Sequence, residues 1–509
     1  MFGKVYSACI QGIEGRIVEV ETDISNGLPM TILVGLPDSA VRESVERVRA
    51  AIKNSGFTFP PERVTINLAP ADLRKEGSAF DLAIAAGVLR ASGQLPGSSW
   101  LEGTLLIGEL SLDGSVRPVP GVLSMALAAA EAGFGRIAVP AEHAEEASWA
   151  GGLEVIPISC LRDLASPDKP SPSAAKPLPA AEETGGGEDY ADVRGQHHVK
   201  RALTVAVAGM HNVLLAGPPG SGKTMLLRRL PTIMPPLSER ESMEVTKIYS
   251  VAGLLSPRSG LIRRRPFRSP HHTVSSAGLA GGGPVPRPGE ASLAHRGVLF
   301  LDELPEFSRA ALEVLRQPME DRCLTIGRAR ASYTYPAHFL LVAAMNPCPC
   351  GYAGFEGGPN VCACSPARIE RYRARLSGPL LDRIDVQTEV PRPEFGELHE
   401  QAPSMSSREM RETARKAWER QAKRFAGTGI SFNSELSGRS LREACVLGAD
   451  ASKLLRSTFE WMGLTARSHD RLLKLARTIA DMQGSDRIES EHIAEALQYR
   501  RLDRLARPG

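Results

Sequence analysis

No apolar run in this 509-residue chain approaches the ~20 residues that a membrane-spanning helix needs. The first residues, Met1-Phe2-Gly3-Lys4-Val5-Tyr6-Ser7, carry no basic segment followed by a long apolar one, so no secretory signal is expected. Both absences point to a cytoplasmic protein with no membrane partner. An excess of charge of one sign is lacking as well. Lys and Arg number 61 against 58 Asp and Glu, a formal net charge of +3. No overall basic field announces nucleic acid, and any such surface has to be local. Cysteine is sparse, and four of the 8 residues, Cys348, Cys350, Cys362 and Cys364, fall in one short segment. In a reducing compartment that clustering suggests metal before disulfide. Cys9, Cys160, Cys323 and Cys445 are scattered and read as packing residues. Apolar material is not lacking: at 42% it supports ordinary globular cores. At this length the chain should hold about three or four domains.

What stands out is Gly217-Pro218-Pro219-Gly220-Ser221-Gly222-Lys223-Thr224, a full match to G-x-x-x-x-G-K-[ST]. The run before it, Asn212 to Ala216, is short and apolar, as a buried parallel strand should be. The run after it, Met225 to Leu230, can continue as a helix. Strand, glycine loop and helix start together make a phosphate cradle. The glycines let successive N–H groups turn toward phosphate oxygens, and the helix N-terminus adds positive potential. Lys223 is expected to reach the β- and γ-phosphates of ATP and Thr224 to ligate Mg²⁺. Further on, Gly297 to Leu301 is an apolar strand that runs into Asp302 and Glu303. That strand end is where ligands bind in open α/β sheets. Asp302 is expected in the Mg²⁺ shell and Glu303 as the general base that polarises the attacking water. The fold class expected is α/β, with a parallel sheet covered by helices on both faces.

Residues 1–165 form an α/β unit of their own. Ile17 to Thr22, Met30 to Val34 and Arg63 to Leu68 read as strands; Ser39 to Asn54, Asp81 to Arg90 and Gly121 to Ala132 read as helices. Val64 to Leu68, Lys75 to Leu82, Gly108 to Gly114 and Pro118 to Gly121 resemble the Lon-protease fold, an α+β domain. That resemblance implies a Ser–Lys dyad in which the lysine activates the serine. The matching positions here are Ala79 and Leu123, and neither side chain can do that chemistry. Ser78 sits one place off, with no lysine in the matching position. The domain is therefore read as non-proteolytic, used for assembly or DNA contact. Residues 166–188 are rich in Pro, Ser and Ala, then Gly; such composition cannot build a core and reads as a flexible linker.

Residues 189–395 read as the motor and 396–509 as a helical lid. Asp189 to Gln196, D-x-x-D-V-x-G-Q with Val193 and Gly195, resembles the segment that lies against adenine in AAA+ ATPases. The same resemblance places Asn346, after the strand Leu340 to Met345, at the sensor-1 position. It makes Arg383, within Ser377 to Asp385, an arginine finger that reaches a neighbouring subunit's γ-phosphate, so hydrolysis depends on a ring. Arg467, in Leu464-Thr465-Ala466-Arg467, resembles sensor 2. A long insertion, including Arg263 to Gly289, separates the P-loop helix from the Asp302 strand. Arg322 to Phe339 reads as a β-hairpin with Arg328 and Arg330 at its turn. In related helicases such hairpins line the ring's pore, where basic residues grip phosphates without reading bases. The cysteine segment, C-P-C-G and then C-x-C, could supply four thiolates to a structural Zn²⁺, although C-x-C is tighter than the usual spacing.

Three stretches are more specific than any single motif: R-P-F-R-x-P-H-H at Arg265 to His272, L-R-Q-P-M-E-D at Leu315 to Asp321, and N-P-C-P-C-G at Asn346 to Gly351. With the Lon-like domain they resemble the ComM/YifB family of magnesium-chelatase-like AAA+ proteins, over nearly the whole chain except the linker. The resemblance implies a homo-hexameric, ATP- and Mg²⁺-dependent helicase or translocase. Its partner would be single-stranded or branched DNA, and its task branch migration of transforming DNA. The alternative is a chelatase-type motor that remodels a protein partner during metal insertion. The chelatase name reflects motor homology, and function does not follow from fold.

Overall fold

A computed structural model describes residues 1–95, 97–165, 188–255, 260–283, 286–327, 332–355, 361–392, 396, 404–462 and 465–500. The linker expected at 166–188 lies outside these residues except for its last position. So do Arg328 and Arg330. Among the described residues, no helix is long and apolar enough to cross a membrane.

The first unit is a seven-stranded mixed sheet. Its order is Met30–Val34, Arg63–Ala69, Glu14–Ser25, Phe2–Gln11, Thr104–Leu106, Arg136–Pro140, Glu154–Ile158. Phe2–Gln11 and Glu14–Ser25 pair antiparallel, and the last three strands run parallel to Phe2–Gln11. The helix Ser39–Asn54 starts on an Asp38 cap, whose carboxylate accepts from the Val41 N–H at 2.8 Å. The helix Asp81–Ala91 is buried at every position except Arg90, as its unbroken apolar run requires. Fully burying one such aliphatic side chain is worth about 1.5–3 kcal/mol.

The second unit is a five-stranded parallel sheet in the order Phe267–Arg268, Val298–Leu301, Leu340–Met345, Val213–Ala216, Val386–Glu389. The strand before the P-loop is therefore central, with a partner on each side. Successive residues feed opposite cores. Val213, Leu215, Phe300 and Val342 pack with the helix His197–Gly209 and the lid, whereas Leu214, Leu299, Leu301 and Leu341 pack on the other face. Burial on both faces explains why these strands are continuously apolar rather than alternating.

One expectation needs correcting. The residues after the P-loop helix are not all insertion: Phe267–Arg268 is the sheet's edge strand, parallel to Val298–Leu299. Two residues flanked by Pro266 and Ser269 show no strand periodicity, so pairing alone reveals it. A small antiparallel pair, Gly281–Gly282 with Arg287–Pro288, follows in the same stretch. The expected hairpin is present as Cys323–Gly327 paired with Ser332–Pro336.

The lid helix Ser407–Arg424 opens on a reciprocal Ser406–Glu409 cap and packs on the helix His197–Gly209. There Gln421 Nε2 donates to the Ala208 carbonyl at 2.8 Å. The helix Ala466–Gln483 starts on Thr465 and stops at Gly484, whose φ of 79° suits a glycine.

The first unit rests on the helix Glu239–Ala252 of the second. The Gly121 N–H donates to the Ser250 carbonyl at 3.0 Å, and Ser250 Oγ donates to Glu146 Oε1 at 2.5 Å. Lys247 Nζ donates to both Glu14 oxygens at 2.9 and 2.8 Å. Ile13, Ile248, Leu293 and Tyr335 close the contact as one apolar cluster.

Candidate nucleotide site

The P-loop's curl follows from its glycines. Gly220 and Gly222 take φ of 76° and 87°, where a side chain is disfavoured, and a Cβ on Gly217 would collide with the Val390 carbonyl. Gly222 leads directly into the helix Lys223–Arg228. Lys223 is buried within the loop. Its ammonium donates to the carbonyls of Gly217 at 2.7 Å and Pro218 at 2.8 Å, and to Asn346 Oδ1 at 3.3 Å. Burial lowers its pKa, against the opposing pull of Asp302 and Glu303. Ser221 Oγ is buried without a hydrogen-bond partner. A glycine cradle with an unspent hydroxyl and a convergent ammonium fits a nucleotide's phosphates.

Thr224 Oγ1 donates to Asp302 Oδ2 at 2.9 Å. The two expected Mg²⁺ ligands thus face each other although the strand Leu340–Met345 lies between the strands they follow, a hard-oxygen pair suited to that ion. Glu303 sits in the left-handed region, with φ of 52° and ψ of 48°. For a non-glycine residue such a conformation costs about 1–3 kcal/mol, and such strain gathers at active sites. Its N–H donates to Asp302 Oδ1 at 3.0 Å, and its carboxylate lies 3.8 Å from His272 Nδ1. Asp302, Thr224, Lys223 and Asn346 therefore meet at the C-terminal edge of the sheet, with Glu303 beside them. Val193 is buried in the motor core, and Lys200 Nζ donates to its carbonyl and to that of Tyr190, each at 2.7 Å. Gly195 takes φ of 60°, and Gln196 Nε2 donates to the Pro391 carbonyl at 2.8 Å.

Arg383 and Arg467 come together elsewhere, on one acid. Arg383 is nearly buried; Nη1 donates to the Pro379 carbonyl at 2.5 Å and Nη2 to Glu320 Oε1. Arg467 Nη2 lies 3.7 Å from the same oxygen. The neighbouring Asp385 is occupied otherwise, 3.4 Å from His211 Nδ1 and 3.5 Å from Arg471 of the lid. Burial raises its pKa, but His211 and Arg471 outweigh that and hold it at about 2.

The four clustered cysteines converge. Their sulfurs all lie within 4.8 Å of one another, with Cys348–Cys350 at 3.3 Å, Cys350–Cys362 at 3.5 Å and Cys348–Cys362 at 3.7 Å. A tetrahedral site with Zn–S of ~2.3 Å puts sulfurs about 3.8 Å apart, so the set fits zinc. In the first unit, Leu123 is fully buried and its N–H donates to Glu146 Oε1 at 2.9 Å, while Ser78 Oγ donates to Glu109. Lys75 is buried too and donates to the Pro70 carbonyl.

Family models for magnesium chelatase subunit ChlI match this chain in three parts: residues 189–398, residues 20–143, and the C-terminal model at 404–500. YifB of Escherichia coli is 43% identical over 503 residues, 98% of this chain and 97% of that one. Competence protein ComM of Haemophilus influenzae is 42% identical over 509 residues, 98% of each chain. The chain belongs to the ComM/YifB family of magnesium-chelatase-like AAA+ proteins. A more distant likeness joins this family to the archaeal Lon protease of Archaeoglobus fulgidus, 29% identical over 172 residues, 32% of this chain. Membership makes the chain an AAA+ protein that uses ATP and Mg²⁺.

Within this ComM/YifB chain the structure adds residues to which the motifs gave no role. His272 belongs to R-P-F-R-x-P-H-H and stands beside Glu303, stacked on His271 with ring centroids 4.0 Å apart. The arginines of that motif hold structure. Arg265 donates to the carbonyls of Pro235, Pro236 and Arg296, and Arg268 pairs with Glu290 at 2.6 Å. Glu320 belongs to L-R-Q-P-M-E-D. The strings flagged these segments, but only the fold assigns their contacts.

Proposed function

We propose that this protein is an ATP-driven ring, a homo-hexamer, that translocates on single-stranded or branched DNA and promotes branch migration during recombination of incoming DNA. The observation that carries the DNA reading is the hairpin Cys323–Gly327/Ser332–Pro336. It directly precedes the strand that leads into Asn346, and the sequence between its two strands includes Arg328 and Arg330. Likeness to a competence protein over the full length supports the same reading.

In the hydrolysis site Lys223 leaves the loop carbonyls and takes up the β- and γ-phosphates, which neutralises charge as it builds. Thr224 and Asp302 would hold Mg²⁺, which supplies Lewis-acid stabilisation of the phosphoryl oxygens when bound. Glu303 polarises the attacking water, and Asn346 orients it through its amide. Val193 and Gly195 lie along the adenine side. Arg383 and Arg467 serve a γ-phosphate at a subunit boundary. We also assign a structural Zn²⁺ to Cys348, Cys350, Cys362 and Cys364, held just after Asn346 and close to the P-loop, since a Cβ on Gly351 would meet Pro219. One zinc per chain by elemental analysis supports it; a metal-free folded protein sinks it.

Incubation of the full chain with ATP and a synthetic four-way junction tests the motor. Strand exchange and DNA-stimulated hydrolysis are expected. Hydrolysis with neither leaves the protein-remodelling alternative. Arg328→Ala with Arg330→Ala should reduce DNA stimulation more than basal hydrolysis; equal losses would remove the pore assignment.

A further inference from the structure

We infer that Glu320 is a positioning residue for the hydrolysis reaction: it gathers Arg383 and Arg467 onto one carboxylate and presents them as a unit. This rests on the reading of the chain as an ATPase completed by arginine across a subunit boundary. Glu320 ends a segment that is firmly anchored. Leu315 is fully buried and Pro318 is buried in the short helix Arg316–Asp321, so the backbone carrying the carboxylate has little freedom. The carboxylate itself is half exposed, as is Arg467, whereas Arg383 is only 6% exposed.

The charges explain why an acid is needed. Two guanidinium groups close together repel, and one of them is largely cut off from water. Arg383 spends Nη1 on the Pro379 carbonyl and Nη2 on Glu320, while its Nε is buried without a partner. Arg467 reaches the same Glu320 oxygen from the start of the lid helix Ala466–Gln483. The acid therefore ties the motor's arginine to the lid's arginine. Glu320 Oε1 is the atom that both guanidinium groups share. Aligned guanidinium groups stabilise the transferring phosphoryl group more than the bound ground state, so their alignment is felt in kcat.

The test measures ATPase kcat and KM of the full chain as wild type, Glu320→Gln, Glu320→Asp, Arg383→Ala and the Glu320→Gln/Arg383→Ala pair. Gln keeps size and removes charge, so the fold is preserved; thermal melting of each variant checks this. Glu320→Gln should lower kcat about tenfold with KM within about twofold, and Asp should recover part of it. The double variant should be no slower than Arg383→Ala, because one unit has already been broken. An unchanged or higher kcat in Glu320→Gln, or losses that multiply in the double variant, would overturn the proposal. If Arg383→Ala keeps full kcat, the boundary-arginine reading itself fails and Glu320 falls with it.

Discussion

This chain contains two α/β units built on enzyme-like scaffolds, and only one gathers side chains suited to the chemistry its motifs imply. In the motor, residues from three strand ends meet: Lys223 and Thr224 after one, Asp302 after another, Asn346 after a third. In the N-terminal unit the positions matched to a Ser–Lys dyad hold Ala79 and Leu123, and the ground around Leu123 has become a docking point. Glu146 accepts from the Leu123 N–H and from Ser250 of the motor with the same oxygen. Shared ancestry with a protease therefore says little about what the N-terminal unit does. What its side chains do is seat the motor helix Glu239–Ala252.

The sharpest way to break this comparison is to disable the motor's site. Glu303→Gln should lower ATP hydrolysis on the order of 10²–10⁴-fold, because the water loses its base. Nucleotide binding should persist, since the P-loop is untouched. Phosphate release and equilibrium nucleotide binding, measured on the same preparation, check the pair of outcomes. Near-normal turnover would mean that Glu303 is not the base.

The complementary attempt is to rebuild the lost site. Ala79→Ser combined with Leu123→Lys should yield no peptide hydrolysis. Leu123 is fully buried, so the new ammonium would lack both water and a designed partner. Leu123→Lys should destabilise the protein by about 3 kcal/mol or more. Casein cleavage and thermal denaturation read the two effects. Proteolysis by the double variant would show that the scaffold lost only two atoms' worth of chemistry.

The two units also differ in how much the sequence discloses. Motor residues are legible where chemistry is local: the P-loop's eight residues and the Asp302–Glu303 pair each follow an apolar strand that the run itself marks. The helix Ser39–Asn54 and the strand Met30–Val34 were legible from spacing alone. Contacts between distant segments were not. Glu320 meets Arg383 and Arg467 from 63 and 147 residues away in sequence, and no periodicity encodes that. The edge strand Phe267–Arg268 is too short to alternate, and its identity depends on a neighbour. The arginines of R-P-F-R-x-P-H-H are a local concentration of charge, yet Arg265 and Arg268 are consumed by carbonyls and a carboxylate. A string of charge does not reveal which charges are already spent.

Glu146 gives the smallest effect and the finest test of the docking role. Its carboxylate is buried, which alone would raise its pKa; hydrogen bonds from His143 and Ser250, with the Leu123 N–H, outweigh this and lower it. A carboxyl whose folded pKa is depressed contributes stability that is complete above its unfolded value and lost as pH falls through the folded one. The carboxylate's own contribution should therefore be complete above the ordinary glutamate range and be lost as the pH falls through its depressed folded pKa. Glu146→Ala should cost about 1–3 kcal/mol, since it strands the Leu123 N–H and removes the partner of Ser250. Denaturant melts at neutral and acidic pH measure both. If the wild type and Glu146→Ala lose stability in parallel as the pH falls, the carboxylate is not what seats the N-terminal unit, and the apolar cluster of Ile13, Ile248, Leu293 and Tyr335 carries the contact instead.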